Sequence, residues 1–298
     1  MKEPIIIEIA GVRFGITCSN TIVLKKPGPV YKHFLEKVNT SHTSADIQIH
    51  VKLENMPVTD HLTRIFESDS AWSMFQADDD YFLSFNSKAY GDKPVCLAKF
   101  DSHCNEVVVY CSSQLVTKKA GRAVVANPFS YPLDQLLFMY YLAQNQGSLI
   151  HAAGLVINNR GFIFPGRSGA GKSTLSRNLI CQEGIDILSD DRIAVRKTTD
   201  GFDAYGTPWP GEAGIAINRR VPLVGIFFIR HALENKVIEF DSRAGIRRLL
   251  PVTSIPWYDR NAMPKILDFC EDLISRTPTY ELSFKPGAEV VDVLRQYF

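Results

Sequence analysis

The sequence predicts a mixed α/β chain, α+β overall, in which a strand-rich first part precedes an α/β part built around a phosphate-binding loop. Three observations carry this. Up to about residue 125, short β-branched and aromatic runs alternate with turn-forming Gly, Pro, Asn and Asp. From Ser148 onward, strand patterns interleave with helical ones. Between them in kind stands "GRSGAGKS", Gly166 to Ser173, which satisfies G-x-x-x-x-G-K-[ST] in full.

In chain order, "PIIIEIA", "ADIQIHVKL", "YFLSFN" and "NEVVVYC" read as strands, and "PVYKHFLEKVN" as the one helix of the first part. The acidic cluster Asp78 to Asp80 reads as a solvated turn between strands, with cation binding as the alternative. "PLDQLLFMYYLAQNQ", Pro132 to Gln146, predicts a helix with proline near its start and Gly147 just beyond its end; its Leu and aromatic stripe reads as a packing face. The punctuation "NPFSYP" places a domain boundary near residue 128, so that residues 1–128 form one domain, read as presenting substrate, and residues 129–298 the second. In the latter, "SLIHAAGLVIN", "GFIFPG", "IDIL", "RIAVRK" and "LVGIFFIR" are expected strands. Helices are expected from Gly171 and at "DSRAGIRRLL", "NAMPKILDFCEDLIS" and "AEVVDVLRQYF".

Composition narrows the function classes. With 33 basic against 32 acidic residues the net charge is +1, so no global field draws the chain to nucleic acid or to an anionic membrane. No apolar run approaches the roughly 20 residues that span a bilayer, and the N-terminal run is interrupted by Glu8, which argues against a signal peptide. The 6 cysteines show no C-x-x-C pair and no zinc spacing; they read as free thiols in a reducing cytoplasm.

The loop follows the apolar strand "GFIF" and precedes a helix, the context in which its chemistry operates. Gly166, Gly169 and Gly171 let the backbone approach an anion, and with Arg167, Ser168 and Ala170 they turn successive N–H groups toward a phosphate at a helix N-terminus. Lys172 is expected on the β- and γ-phosphates, and the Ser173 hydroxyl on Mg²⁺, with Thr174 next in the helix. Eighteen residues after Lys172 the pair Asp190-Asp191 ends an apolar strand. Adjacent strand residues face opposite ways, so two acids in a row suggest two jobs: one to hold the metal, one to take the proton of an acceptor hydroxyl.

"HAAGLVINNRGFIFPGRSGAGKSTL", followed by "LSDDRIAV", resembles the catalytic domain of the HPr kinase/phosphorylase family, whose fold is related to phosphoenolpyruvate carboxykinase. The likeness spans about residues 148 to 230. It implies a P-loop kinase domain of that type using ATP and Mg²⁺, with Asp190 as the acid/base toward a seryl hydroxyl, Asp191 as the metal-site carboxylate and His151 near the transferred phosphate. Here Ser173 is followed by Thr174 where that family has Glu, and no "EIRGLG"-type segment is present. The likeness is therefore to the HPr kinase-related group, which includes kinases of the C-terminal serine of lasso peptides and shares a "GTPWPGE" segment. The resemblance implies a peptide or protein partner carrying an acceptor serine, and a homo-oligomer.

Within "GTPWPGE", Trp209 and Glu212 are candidate acceptor contacts; an inward-packed tryptophan on a surface connection is the competing reading. Arg243 and Arg247, four apart on one expected helix, are candidates for transferring-phosphate charge or a peptide carboxylate, against a simply solvated face. Two further functions share the same loop: a kinase of a small-molecule hydroxyl or acid, and a nucleotide-operated switch or ATPase with no acceptor. The absence of an "LSGGQ"-like signature excludes ABC-type ATPases.

Overall fold

The computed structural model describes residues 3–20, 22–36, 44–69, 71–85, 94–119 and 121–297. It is mixed α/β and strand-rich, and it divides into two compact units, Met1–Gln144 and Asn145–Phe298.

The first unit carries β1 (Ile5–Ile9), β2 (Val12–Cys18), β3 (Ile22–Leu24), β4 (Ile47–Lys52), β5 (Thr63–Ser68), β6 (Trp72–Ala77), β7 (Asp80–Phe85), β8 (Cys96–Asp101), β9 (Glu106–Cys111), β10 (Val116–Lys119), β11 (Arg122–Val125) and α1 (Leu133–Gln144). Eight strands form one sheet in the order β1-β2-β4-β9-β8-β7-β6-β5, and β10-β11-β3 form a small second sheet. The β1–β2 hairpin turns through Ala10 and Gly11, both at positive φ, the geometry that matches strand twist. Asp78 and Asp79 lie at the turn joining β6 to β7, and Asp80 pairs with Lys99 at 2.7 Å, so the acidic cluster is a turn with one surface ion pair.

Two expectations change here. The described part of the segment read as a helix is only a short 3-10 turn at Pro29–Tyr31, because Tyr31 and Phe34 enter the core and Leu35 bridges to Ile7; Lys37 to Asn39 lie outside the described residues. The division between the units falls after Gln144 instead of near residue 128. α1 belongs to the first unit because its rings pack there: Phe138 against Phe14 at 6.2 Å, and Tyr140 against Tyr81 at 5.2 Å and Phe100 at 5.6 Å. The wholly buried Asp134 accepts a hydrogen bond from the Tyr31 hydroxyl.

The second unit carries β12 (Gly147–Ile157), β13 (Arg160–Pro165), α2 (Lys172–Leu179), β14 (Ile185–Ser189), β15 (Arg192–Lys197), β16 (Phe202–Gly206), β17 (Arg220–His231), β18 (Lys236–Glu239), α3 (Ser242–Leu249), α4 (Ala262–Arg276), β19 (Thr279–Phe284) and α5 (Val290–Leu294). Its strands follow the order β13-β12-β15-β16-β17-β19-β18, with β14 on β12, and a further β13–β17 pairing closes the first five into a circuit. β12 and β13 are joined by Asn158 and Asn159, both left-handed, a conformation asparagine tolerates in tight hairpins. β14 and β15 both run antiparallel to β12, His151 opposite Arg192 and Gly154 opposite Ser189, with a one-residue register shift between Gly154 and Leu155; Asp190 and Asp191 fill the interruption between the two strands.

α2 packs Leu175 and Leu179 into a core with Phe162, Phe164, Phe227, Leu282 and Phe284. Phe227 stacks on Phe164 at 5.3 Å and on Tyr280 at 4.7 Å, a chain of rings within this core. No helix among the described residues is long and apolar enough to cross a membrane. Phe227 is fully buried, so Phe227→Ala should cost about 3–5 kcal/mol of unfolding free energy, measured by urea denaturation of the full chain; a loss under about 1 kcal/mol would show that this ring stack is not a stabilising core.

Candidate active site

The loop Gly166–Ser173 joins β13 to α2, and the helix N-terminus lies at its end. Gly169 and Gly171 stand at φ 81° and 99°, which side-chain-bearing residues rarely adopt. At Gly171, the N-cap of α2, a Cβ would also meet His231 Cε1 and Phe284 at 3.4 Å. The turn is held from outside by the His231 ring, whose Nε2 lies 2.9 Å from the Gly169 carbonyl oxygen.

Lys172 is only 5% exposed, and its Nζ donates to the carbonyl oxygens of Gly166 at 2.7 Å and Arg167 at 3.1 Å. Burial lowers the pKa of this ammonium from its ordinary value, with Asp191 and Asp190 opposing the shift. Arg167, Ser168 and Gly169 are exposed, whereas Ala170, Ser173 and Thr174 are half-buried.

The two aspartates part company. Asp190 is 0% exposed and its carboxylate accepts three backbone N–H groups: Gly211 at 2.9 Å and Ile215 at 3.3 Å on Oδ1, and Ala213 at 2.7 Å on Oδ2. A Cβ at Gly211 would stand 2.8 Å from Asp190 Oδ2, so the close approach needs glycine there. Asp191 is half-buried; its Oδ1 lies 2.8 Å from His151 Nε2, and its Oδ2 3.2 Å from Arg192 Nε. Consecutive residues thus serve separate partners at the bend between β14 and β15. The base role expected of Asp190 does not fit this geometry, since its side chain is wholly buried and held by three backbone N–H groups, with no face open to an acceptor.

Burial pushes the Asp191 carboxyl up, but the His151 hydrogen bond and charge, with Arg192 and Lys172, outweigh it and hold the group below its ordinary pKa. His151 is not a sealed core residue: its side chain is 20% exposed, and its backbone oxygen accepts the Gly166 N–H at 3.1 Å. One short contact therefore couples the strand bearing His151 to the first glycine of the loop. The Asp191 carbonyl accepts the Ala152 N–H at 2.9 Å, which fixes the interruption across the same strand.

The other candidates separate. Trp209 is 8% exposed and packs inward with the buried Pro208, which corrects the expectation that it lines an acceptor site. Glu212 is 84% exposed and pairs with Arg177 at 3.3 Å, a surface pair of the kind that contributes little. Arg243 and Arg247 sit on α3 but line different depressions: Arg243 a groove against α4, Arg247 a cavity beside the loop. Arg192, Ser254 at 3.4 Å from its Nη1, and His231 were not legible as site residues. Only Arg192, next to the acid pair, had a local signal.

Among the described residues no group of three or more His, Cys, Asp and Glu is placed to hold a metal ion. Ser173 and Asp191 carry oxygens of the kind that could ligate a divalent cation. No protein-family model matches the sequence, and no curated protein matches it.

Two outcomes follow from the aspartates. Asp190→Asn places amide donors against backbone donors and should cost about 3 kcal/mol in stability, with faster amide exchange at Gly211, Ala213 and Ile215; unchanged exchange there would remove the anchoring role. For Asp191 the folded pKa lies below 3.8, so its contribution to stability is complete above that value and is lost as pH falls through the folded pKa. The stability gap between wild type and Asp191→Asn should therefore narrow below about pH 4 in pH-dependent denaturation.

Proposed function

We propose that the second unit is an ATP- and Mg²⁺-dependent kinase that moves the γ-phosphoryl group to a serine-type hydroxyl of a peptide or protein, in the manner of the HPr kinase-related group its sequence resembles. The observation that carries this reading is a glycine-rich loop at a helix N-terminus with a partly exposed carboxylate, Asp191, poised by His151 at its edge. A loop alone serves any nucleotide-binding protein; a loop with an oriented carboxylate serves transfer to a hydroxyl.

In this reading the N–H groups of the loop and the start of α2 hold the β-phosphate, since aligned peptide dipoles favour an anion there. Lys172 exchanges its bonds to the Gly166 and Arg167 carbonyls for phosphate oxygens, so the same ammonium stiffens the loop before binding and neutralises charge after it. A Mg²⁺ ion accompanying the nucleotide would offset the charge on the transferring group, with Ser173 and, through water, Asp191 as the protein groups suited to hold it.

Asp191 then takes the proton of the acceptor hydroxyl. A loose phosphoryl-transfer transition state asks more of a carboxylate for orientation than for basicity, so a depressed pKa suits this role and keeps the group ionised throughout the neutral range. His151 and Arg192, one on each oxygen, fix the direction in which its free lone pairs point. Asp190 contributes by holding the Gly211–Ile215 segment.

The reading is tested by incubating the chain with ATP, Mg²⁺ and serine-containing peptides encoded beside its gene, and following the gain of about 80 Da by mass spectrometry. Asp191→Asn should slow transfer by about 10²–10⁴-fold while ATP binding persists, and Lys172→Ala should weaken both. Full transfer by Asp191→Asn would sink the role assigned to it. ATP binding without phosphorylation of any acceptor would favour a switch.

A further inference from the structure

Beside the loop, and lined in part by its own Gly166, Arg167 and Ala170, lies a small polar depression. A cavity of about 350 Å³ opens between Gly166 and Arg167 of the loop, β17, and the end of α3 with the residues that follow it. Its cations are Arg167, Arg247 and Arg248, and no acid lines it. Arg248 is already engaged, sharing Glu281 with Arg230 at 2.8 and 2.7 Å. Arg167 and Arg247, both exposed, have no acidic partner among the described residues, so two uncompensated arginines line one small space. Phe228, Ile229 and Val252 supply apolar walls.

The position of the cavity says which substrate it serves. Gly166, on its rim, donates its N–H to the His151 carbonyl, and the chain just past Val252 bridges to Ile150 and places Ser254 on Arg192. The cavity thus adjoins the edge of the loop that carries the His151–Asp191 pair, whereas His231 and Phe284 contact Gly169 and Gly171. Its volume lies at the low end for ligand pockets, enough for one residue or a small acid and too small for a folded partner's surface.

We propose that this cavity is an acceptor subsite that takes a carboxylate flanked by an apolar group, the carboxylate lying on Arg167 and Arg247 while the acceptor's hydroxyl reaches Asp191. Planar guanidinium groups match a carboxylate by paired N–H donors, and apolar walls strengthen the contact by excluding water. The carboxylate comes either from the terminal residue of a peptide or from a free hydroxy acid. This assignment rests on the kinase reading above for the identity of the reacting hydroxyl, but binding itself can be measured without transfer.

The test is calorimetric titration of the full chain, with ADP and Mg²⁺ present, using three probes: acetyl-Ser-Leu with a free carboxylate, the same dipeptide as its C-terminal amide, and 2-hydroxy-4-methylpentanoate. The free-carboxylate dipeptide should bind about ten-fold or more tightly than the amide; tighter binding of the hydroxy acid than of either dipeptide would identify a small-molecule source instead. Arg247→Gln, at an exposed position, should abolish the preference for carboxylate while ADP affinity stays within about two-fold, and Arg243→Gln should leave the preference intact. Equal binding of acid and amide, binding of no probe, or a loss of ADP affinity in Arg247→Gln as large as the loss for the dipeptide would overturn the proposal. Because no phosphoryl transfer is read, carboxylate preference without any kinase activity would refute the kinase reading alone, and transfer without carboxylate preference would refute the subsite alone.

Discussion

A carboxylate removed from water has to be answered by donors, and the three N–H groups around Asp190 are the interaction on which the candidate site depends. They tie the segment Gly211–Ile215 to the interruption between β14 and β15, two strands that both pair with β12. With Asp190 spent on this anchor, its neighbour is left for the surface, and Asp191 meets His151 across the same strand pair. The position of the partly exposed carboxylate is thus set by the burial of the other one.

Charge is arranged economically around the loop. Lys172, almost wholly buried, satisfies its ammonium on two loop carbonyls and needs no permanent acid. Asp191 divides its two oxygens between a histidine and an arginine, which keeps it ionised without sealing it off. Arg248 and Arg230 share one glutamate, whereas Arg167 and Arg247 have none among the described residues, so uncompensated positive charge lies beside the loop.

Much of the secondary structure was readable because it follows from local rules. The helix from Lys172 was marked by glycines and the loop motif, and the strands β12 and β13 by the apolar runs on either side of Asn158 and Asn159. The helix expected after Pro29 failed because pairing of Leu35 with Ile7 and burial of Tyr31 and Phe34 outweighed local helical preference. The unit boundary was misplaced for a similar reason: α1 looked detached from the strands before it, yet its aromatic residues pack on rings from β2, β7 and β8.

By itself the sequence determined the glycine-rich loop, the lysine and hydroxyl that follow it, the acid pair and the strand that carries His151, since each is written in residues a few positions apart. Tertiary structure alone decided which aspartate is anchor and which is open, that Trp209 turns inward, and that Arg247 and not Arg243 faces the loop. Those outcomes depend on partners 21 to 25 residues away for Asp190 and on contacts between separate strands for Asp191. Local pattern specifies which side chains are present on an element; only packing and the need to satisfy buried charge select what each one meets.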